Sequence, residues 1–459
     1  MKTRRFFPVF LSLLLFVSLI TPARAAEGDI GDWEVEAKAA LLLDPDTEEI
    51  LYARNIHKRL YPASLTKVMT CLLVLETLDA GTLTRDMVLT ASEEAINSVP
   101  ADGSTAGIKP GEELTVEQLL YCIMLSSANE GCNILAEAVA GSVSAFVDRM
   151  NEQAADLGCE DTHFVNANGM PDDNHYTTAW DLYLITREAR THADFMPLVN
   201  TAYYEVPATN LSDARKLRTT NYLISSWYTS GYLYKGAAGI KTGSTNAAGY
   251  CLIASAERSG RSLLSVVMGA DRVTLDDGTI LTKSFSETIK LYDWGFDNFT
   301  RQIILKEDEL VWEVPVTLSQ EQDYVKVHPS EEIERLFPKD ADPAKEIERI
   351  ITPLYEESVE APVEKGQVLG QMTLNYGGAV YATVDLLADE DVEASRLLVL
   401  QRDIKAFLRK PALWIAIGGA VGLVVLILIL RAVLKSRRRR YGRGPVAARR
   451  SSGYRGRKR

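Results

Sequence analysis

Residues 59–70 read RLYPASLTKVMT, and this stretch contains the only Ser-x-x-Lys sequence in the chain, formed by Ser64 and Lys67. Pro62 precedes an apolar stretch that predicts a helix from Ser64 to Ala80. Residues three apart share one face of a helix, so Lys67 can reach the Ser64 hydroxyl. A serine hydroxyl needs a nearby base to act as a nucleophile. The positive helix end and apolar neighbours lower the pKa of Lys67, which predicts that its amine is this base.

Two further short motifs carry polar side chains that suit catalysis. Ser127 and Asn129 follow a predicted apolar helix over residues 115–126, so they can project into a pocket at its end. The Ser127 hydroxyl can relay protons, and the Asn129 side chain can both donate to and accept from a substrate amide. Taken alone, this Ser-x-Asn pattern is equally explained by ordinary helix-end polarity.

The third motif is Lys241-Thr242-Gly243, which occurs once and precedes a predicted strand over residues 250–256. A lysine places positive charge beside a substrate carboxylate, and a threonine adds a hydroxyl donor. Glycine allows a ligand to approach the backbone closely. The alternative interpretation is a solvated strand residue followed by a turn.

The order of helical and extended patterns predicts an α+β domain over residues 30–298. Buried strands are predicted at both ends of this segment, at residues 39–43 and at residues 250–269, with helices between them. Residues 299–400 alternate polar and apolar side chains in short runs and predict a small β-rich domain, joined to the C-terminal region by a linker at residues 401–410.

Both ends of the chain carry membrane signals. Residues 1–25 have the basic start, apolar run and small-residue end of a cleaved signal peptide. Residues 411–430 hold no charged side chain and are long enough to cross a bilayer as one helix. The basic tail, residues 431–459, predicts a cytoplasmic C terminus and therefore an extracytoplasmic catalytic domain, anchored in the cell membrane by a single span.

The formal net charge of −12 conceals a strong division along the chain. Of the 50 basic residues, 17 lie in the two ends, which leaves 33 basic against 62 acidic residues over 26–430. A body this acidic argues against nucleic-acid binding. The basic tail is interpreted as an orientation signal, with contact to anionic lipid as the alternative. The five cysteines and five histidines show no metal-ligand spacing, so neither a metal nor a cofactor is predicted.

Ser-x-x-Lys, Ser-x-Asn and Lys-Thr-Gly in this order are typical of penicillin-binding proteins and serine β-lactamases. Within that group the chain resembles the low-molecular-mass D-alanyl-D-alanine carboxypeptidases over nearly all of residues 35–400. The resemblance rests on residues 59–70 and on FVNANGM at residues 164–170, HYTTAWD at 175–181 and WGF at 294–296.

The resemblance implies a penicillin-binding transpeptidase-type fold and a two-step acyl transfer on peptidoglycan stem peptides. Ser64 would attack the penultimate D-alanine carbonyl and expel the terminal D-alanine, with Lys67 as proton acceptor and Ser127 beside it. Asn129, Lys241, Thr242, Gly243 and Ser244 would bind the substrate, and the backbone N–H groups of Ser64 and Ser244 would form the oxyanion hole. β-Lactam antibiotics would acylate the same serine.

Three other activities share these motifs. A D,D-endopeptidase acting on cross-links would use the same residues, and a non-catalytic sensor would signal through the tail. A class A β-lactamase would need an additional glutamate between the second and third motifs, and residues 160–180 offer no such Glu-x-x-x-Asn. The arginine that several relatives use for the substrate carboxylate is missing, and Lys283 and Arg272 are its candidate replacements.

Overall fold

The computed structural model describes residues 34–101, 103–229 and 231–441. The predicted signal peptide and residues 442–459 of the predicted cytoplasmic tail lie outside the described residues. The chain forms two compact units: residues 34–307, 331–352 and 372–384 make the first, and residues 308–330, 353–371 and 385–441 make the second.

The helices of the first unit begin with a 3-10 turn at Ala63–Thr66, which carries Ser64. They continue as α1 (Lys67–Asp79), α2 (Glu93–Asn97), α3 (Val116–Leu125), α4 (Asn129–Ala140), α5 (Val143–Asp156), α6 (Ala179–Ala189), α7 (Phe195–Val199), α8 (Lys283–Asn298) and α9 (Pro343–Glu346). The helix predicted from Ser64 to Ala80 is therefore a 3-10 turn that continues into α1.

The strands of the described residues occur both singly between helices and in longer runs without a helix. They are β1 (Ala39–Leu43), β2 (Ile50–Arg54), β3 (Val88–Thr90), β4 (Glu113–Thr115), β5 (Tyr203–Val206), β6 (Arg215–Arg218), β7 (Ala237–Thr245), β8 (Gly249–Arg258), β9 (Arg261–Ala270), β10 (Arg272–Thr274), β11 (Ile280–Thr282), β12 (Phe299–Leu305), β13 (Trp312–Thr317), β14 (Tyr324–Pro329), β15 (Ile333–Pro338), β16 (Glu348–Pro353), β17 (Val359–Glu360), β18 (Val368–Tyr376) and β19 (Ala379–Ala388).

A five-stranded antiparallel sheet with the order β2-β1-β9-β8-β7 forms the centre of the first unit. Successive side chains of a strand point to opposite faces. Leu41 and Leu43 accordingly join the core beneath α1, whereas Leu42 packs on the other face with Phe285 and Tyr292 of α8. The sheet is built from both ends of the segment, because β1 pairs with β9 across more than 200 residues of sequence.

A capping box begins α3, and a left-handed turn separates α3 from α4. Thr115 and Gln118 form a capping box at the start of α3, each side chain accepting from the other residue's backbone N–H. Between α3 and α4, Ser127 adopts a left-handed conformation with φ of 59°. This turn allows α4 to begin at Asn129, so both polar residues of the second motif lie at a helix junction.

The second unit is mainly extended, followed by helix. In it β13 pairs antiparallel with β14 and parallel with β17. Helix α10 (Arg396–Arg409) includes residues 401–409 of the segment that the sequence predicted as a linker, and α11 (Pro411–Tyr441) begins after Lys410. Residues Pro411–Ser436 of α11 contain an 18-residue window with a mean hydropathy of 2.8, and they are long and apolar enough to cross a membrane.

Candidate active site

Ser64 and Lys67 lie together as their spacing predicted. Lys67 Nζ is 3.0 Å from Ser64 Oγ. The same amine donates to Asn129 Oδ1 at 2.7 Å and to the backbone carbonyl of Asn168 at 2.6 Å. A neutral amine has two N–H donors, and these two oxygens accept both of them. Its lone pair then faces the Ser64 hydroxyl, which is the arrangement that a general base requires.

The surroundings of Lys67 favour its neutral form. The side chain is fully buried, and this burial lowers the pKa of Lys67 to about 8, against the weaker opposing influence of Cys132 and Glu130. Desolvation disfavours an ammonium because the charged form loses more hydration than the neutral form. A substantial fraction of the amine is therefore neutral near pH 8.

The second motif lines the same centre through different contacts. Asn129 is buried and its Oδ1 accepts from Lys67, while its Nδ2 lies 3.5 Å from Met170 Sδ. Ser127 Oγ is buried and has no hydrogen-bond partner in the described part of the chain. Asn129 is thus joined directly to Lys67, and Ser127 contributes a hydroxyl at the α3–α4 junction that has no partner among the described residues.

The third motif forms most of the C-terminal half of β7. Lys241 is 1% exposed, and burial together with the nearby Lys67 holds the pKa of Lys241 well below its usual range. Thr242 Oγ1 forms a hydrogen bond with Thr220 Oγ1. A Cβ added to Gly243 would lie 3.0 Å from the Pro62 carbonyl oxygen and 3.1 Å from Ser64 N. Glycine at 243 therefore lets β7 lie directly against the turn that carries Ser64, and Ser244 follows as an exposed residue.

Two contributors to this centre are absent from the sequence motifs. The Asn168 carbonyl accepts from Lys67, and His175 is buried with Nε2 2.8 Å from Thr66 Oγ1. The three sequence motifs include neither His175 nor Asn168. In the sequence, the resemblance of residues 164–170 and 175–181 to the carboxypeptidase family was the only indication that these two residues lie near the site.

The two candidate cations for a substrate carboxylate have different partners. Lys283 is paired with Glu36. Arg272 lies over the Tyr250 ring at 5.9 Å, and Tyr250 is the β8 neighbour of Ser244. Arg272 is therefore the candidate that contacts a neighbour of the Lys-Thr-Gly strand. Among the described residues, no group of three or more His, Cys, Asp or Glu side chains is arranged to hold a metal ion.

A partly buried serine beside a fully buried lysine, with a Lys-Thr-Gly strand of an antiparallel sheet packed against the serine turn, is typical of penicillin-binding proteins. The family model of D-alanyl-D-alanine carboxypeptidases matches residues 23–272, and the model of the penicillin-binding protein 5 C-terminal domain matches residues 299–394. The chain belongs to the D-alanyl-D-alanine carboxypeptidase family. It is a serine carboxypeptidase with a β-rich C-terminal domain, and β-lactam binding follows from its fold.

The similarity to individual relatives extends over most of their length. The chain is 32% identical over 387 residues to the D-alanyl-D-alanine carboxypeptidase DacF of Bacillus subtilis, covering 83% of this chain and 94% of that one. It is 31% identical over 384 residues to DacC of Escherichia coli, covering 82% and 90%. The structure matches penicillin-binding protein 5 from Haemophilus influenzae with a TM-score of 0.61 and 27% identity, over 79% of this chain and 99% of that one.

Proposed function

We propose that Ser64 is the nucleophile and Lys67 the general base of a carboxypeptidase that removes the terminal D-alanine from peptidoglycan stem pentapeptides. Ser64 Oγ attacks the carbonyl carbon of the penultimate D-alanine as Lys67 takes its proton. The C–N bond then breaks, the terminal D-alanine leaves with a proton, and water hydrolyses the ester on Ser64. The observation that carries this proposal is the Lys67 amine, whose two N–H donors are occupied and whose remaining contact is Ser64 Oγ.

The same geometry supports roles for the other motif residues. Asn129, which accepts a hydrogen bond from Lys67, can orient the scissile amide, and Ser127 can pass a proton to the leaving nitrogen. Lys241 and Thr242 lie on the strand that faces Ser64, where the lysine amine and the threonine hydroxyl can donate hydrogen bonds to the terminal carboxylate. Gly243 permits the close approach, and Ser244 N–H together with Ser64 N–H forms the oxyanion hole.

The activity test uses two substrates that separate a carboxypeptidase from an endopeptidase. Purified full-length chain in detergent is given a stem pentapeptide and, separately, a cross-linked muropeptide dimer without a terminal D-Ala-D-Ala. We expect D-alanine release from the first and no cleavage of the second. Cleavage of the dimer with no D-alanine release would instead assign the endopeptidase activity, and penicillin labelling without either would assign a sensor.

The pH dependence of acylation follows from the lowered pKa of Lys67, which is about 8. The base works in its neutral form, and the neutral fraction rises with pH up to this pKa. We therefore expect the second-order rate constant for acylation by a penicillin to rise about tenfold per pH unit from pH 6 to about 7.5, then to level off. A rate that stays constant or falls over this range, with an unchanged melting temperature, would contradict Lys67 as the base.

We also propose that α11 crosses the cell membrane with the catalytic unit outside and the basic tail inside. The tail can then contact anionic lipid of the inner leaflet. All five native cysteines are buried, so an engineered cysteine on the surface can be labelled selectively. With a membrane-impermeant maleimide on spheroplasts, we expect labelling of Glu390→Cys and labelling of Ser451→Cys only after permeabilisation. Labelling of Ser451→Cys in intact spheroplasts would reverse the proposed orientation.

A further inference from the structure

The peptide unit between Ala63 and Ser64 has an unusual conformation at the centre of the site. Ala63 has a φ of 49°, in the left-handed region that residues with a side chain rarely adopt. Such conformations persist where surrounding groups hold them, and they concentrate at active sites. The N–H of this unit belongs to Ser64 and is a donor of the proposed oxyanion hole, while its carbonyl belongs to Ala63.

Both sides of this peptide unit are held by close contacts. A Cβ added to Gly169 would lie 1.9 Å from the Ala63 carbonyl oxygen, so the Gly169 backbone packs directly against it. A Cβ added to Gly243 would lie 3.1 Å from Ser64 N. Thr66 Oγ1 donates to the Ala63 carbonyl oxygen at 2.9 Å. The orientation of the peptide plane is therefore set by two glycine contacts and one hydrogen bond.

A buried histidine fixes the direction of that hydrogen bond. His175 is 1% exposed, and its Nδ1 accepts from the Val165 backbone N–H at 3.1 Å. Because a backbone N–H can only donate, Nδ1 carries no proton, and the neutral ring has its proton on Nε2. Nε2 lies 2.8 Å from Thr66 Oγ1 and donates to it. The Thr66 hydroxyl is then committed to donating to Ala63. Burial supports this neutral form by lowering the pKa of His175 to about 4.

We propose that His175 and Thr66 are positioning residues of the oxyanion hole: they act in series on the Ala63 carbonyl and so orient and polarise the peptide whose other end is the Ser64 N–H. This inference rests on the proposed acyl-transfer function. A hydrogen bond to an amide carbonyl strengthens the donor at the opposite end of the same amide. A small displacement of an oxyanion donor lowers the reaction rate, because the donor stabilises the developing negative charge only at hydrogen-bond distance.

The test compares isosteric and conservative variants of the full-length chain. Thr66→Val keeps the shape and loses the hydroxyl, and Thr66→Ser keeps the hydroxyl. We expect Thr66→Val to lower kcat for D-alanine release about tenfold or more with KM changed less than twofold, since the oxyanion forms in both acylation and hydrolysis. Acylation by a penicillin should slow in parallel, and Thr66→Ser should stay within about threefold of wild type.

A matched control separates positioning from general destabilisation. Thr186 on α6 is fully buried and donates to the Leu182 carbonyl at 2.6 Å, so Thr186→Val loses the same kind of hydrogen bond outside the site. It should lower the melting temperature as Thr66→Val does and leave kcat unchanged.

Histidine variants provide a second measurement in case Thr66→Val does not fold. His175→Gln retains a donor near the position of Nε2 and should recover most of the kcat that His175→Leu loses. The proposal is overturned if Thr66→Val or His175→Leu has wild-type kcat, or if glutamine and leucine at 175 behave alike. Absence of D-alanine release by the wild-type chain would instead defeat the proposed function on which the inference rests.

Discussion

Replacing Ser64 by alanine is expected to abolish both D-alanine release and covalent labelling by a fluorescent penicillin. Every covalent step of the proposed reaction takes place at Ser64 Oγ, so without this atom no acyl-enzyme can form. Loss of a nucleophile in serine hydrolases lowers kcat by about 10⁶-fold, and we expect at least a 10⁴-fold loss here. The two measurements are D-alanine release from a stem pentapeptide and labelling on a denaturing gel.

The control for this variant is a serine at the other end of the sheet. Ser262 is the second residue of β9, beside the β8–β9 turn, and is partly exposed. Ser262→Ala should keep full activity and labelling, and both variants should melt within a few degrees of wild type because neither removes buried apolar volume. Labelling that persists in Ser64→Ala would show that another residue reacts with the penicillin.

Replacing Lys67 is expected to have the next largest effect. Lys67→Met keeps the length of the side chain and removes the base, so we expect acylation by a penicillin to slow about 10³-fold, within the range of general-base catalysis. The Asn129 Oδ1 and Asn168 carbonyl contacts are lost at the same time, and unpaired buried acceptors cost about 1–3 kcal/mol each. Thermal unfolding must therefore be measured beside the kinetics, at a temperature where the variant is fully folded.

Lys67→Arg distinguishes proton transfer from simple positive charge. A guanidinium has donors for the same oxygens but stays protonated at every working pH. If Lys67 accepts the Ser64 proton, arginine should be about as slow as methionine. Retention of a tenth or more of the wild-type acylation rate by Lys67→Arg would mean that charge, and not basicity, is what this position supplies.

The parts of the site that the sequence predicted are those encoded by local spacing. Ser64 and Lys67 are three residues apart on one turn, so helical geometry alone brings them together. The Asn168 carbonyl could not be predicted in this way, because a backbone oxygen carries no residue-type signal and lies 101 residues further along the chain. The left-handed conformations of Ala63 and Ser127 likewise depend on tertiary contacts and not on their residue types.

For residues 299–400 too, the sequence predicted the local structure but not the tertiary contacts. The change in pattern near residue 299 predicted a β-rich domain, and the strands are there, but residues 299–307, 331–352 and 372–384 belong to the first compact unit. Strand patterns identify extended segments without saying which neighbours they contact. Most of the segment predicted as a linker lies in α10, whose exposed Leu397, Leu400, Ile404 and Phe407 recur at helical spacing among charged residues that obscured it.

In the proposed reaction a substrate acyl group resides on Ser64 after D-alanine has left. Full-length chain is mixed with a stem pentapeptide, quenched in acid within one turnover, digested and examined by mass spectrometry, with released D-alanine measured in the same samples. We expect one tetrapeptidyl ester, located at Ser64, and a burst of D-alanine equal to it in amount. An acyl group on any other residue, or D-alanine release with no ester at any quench time, would contradict the proposed reaction.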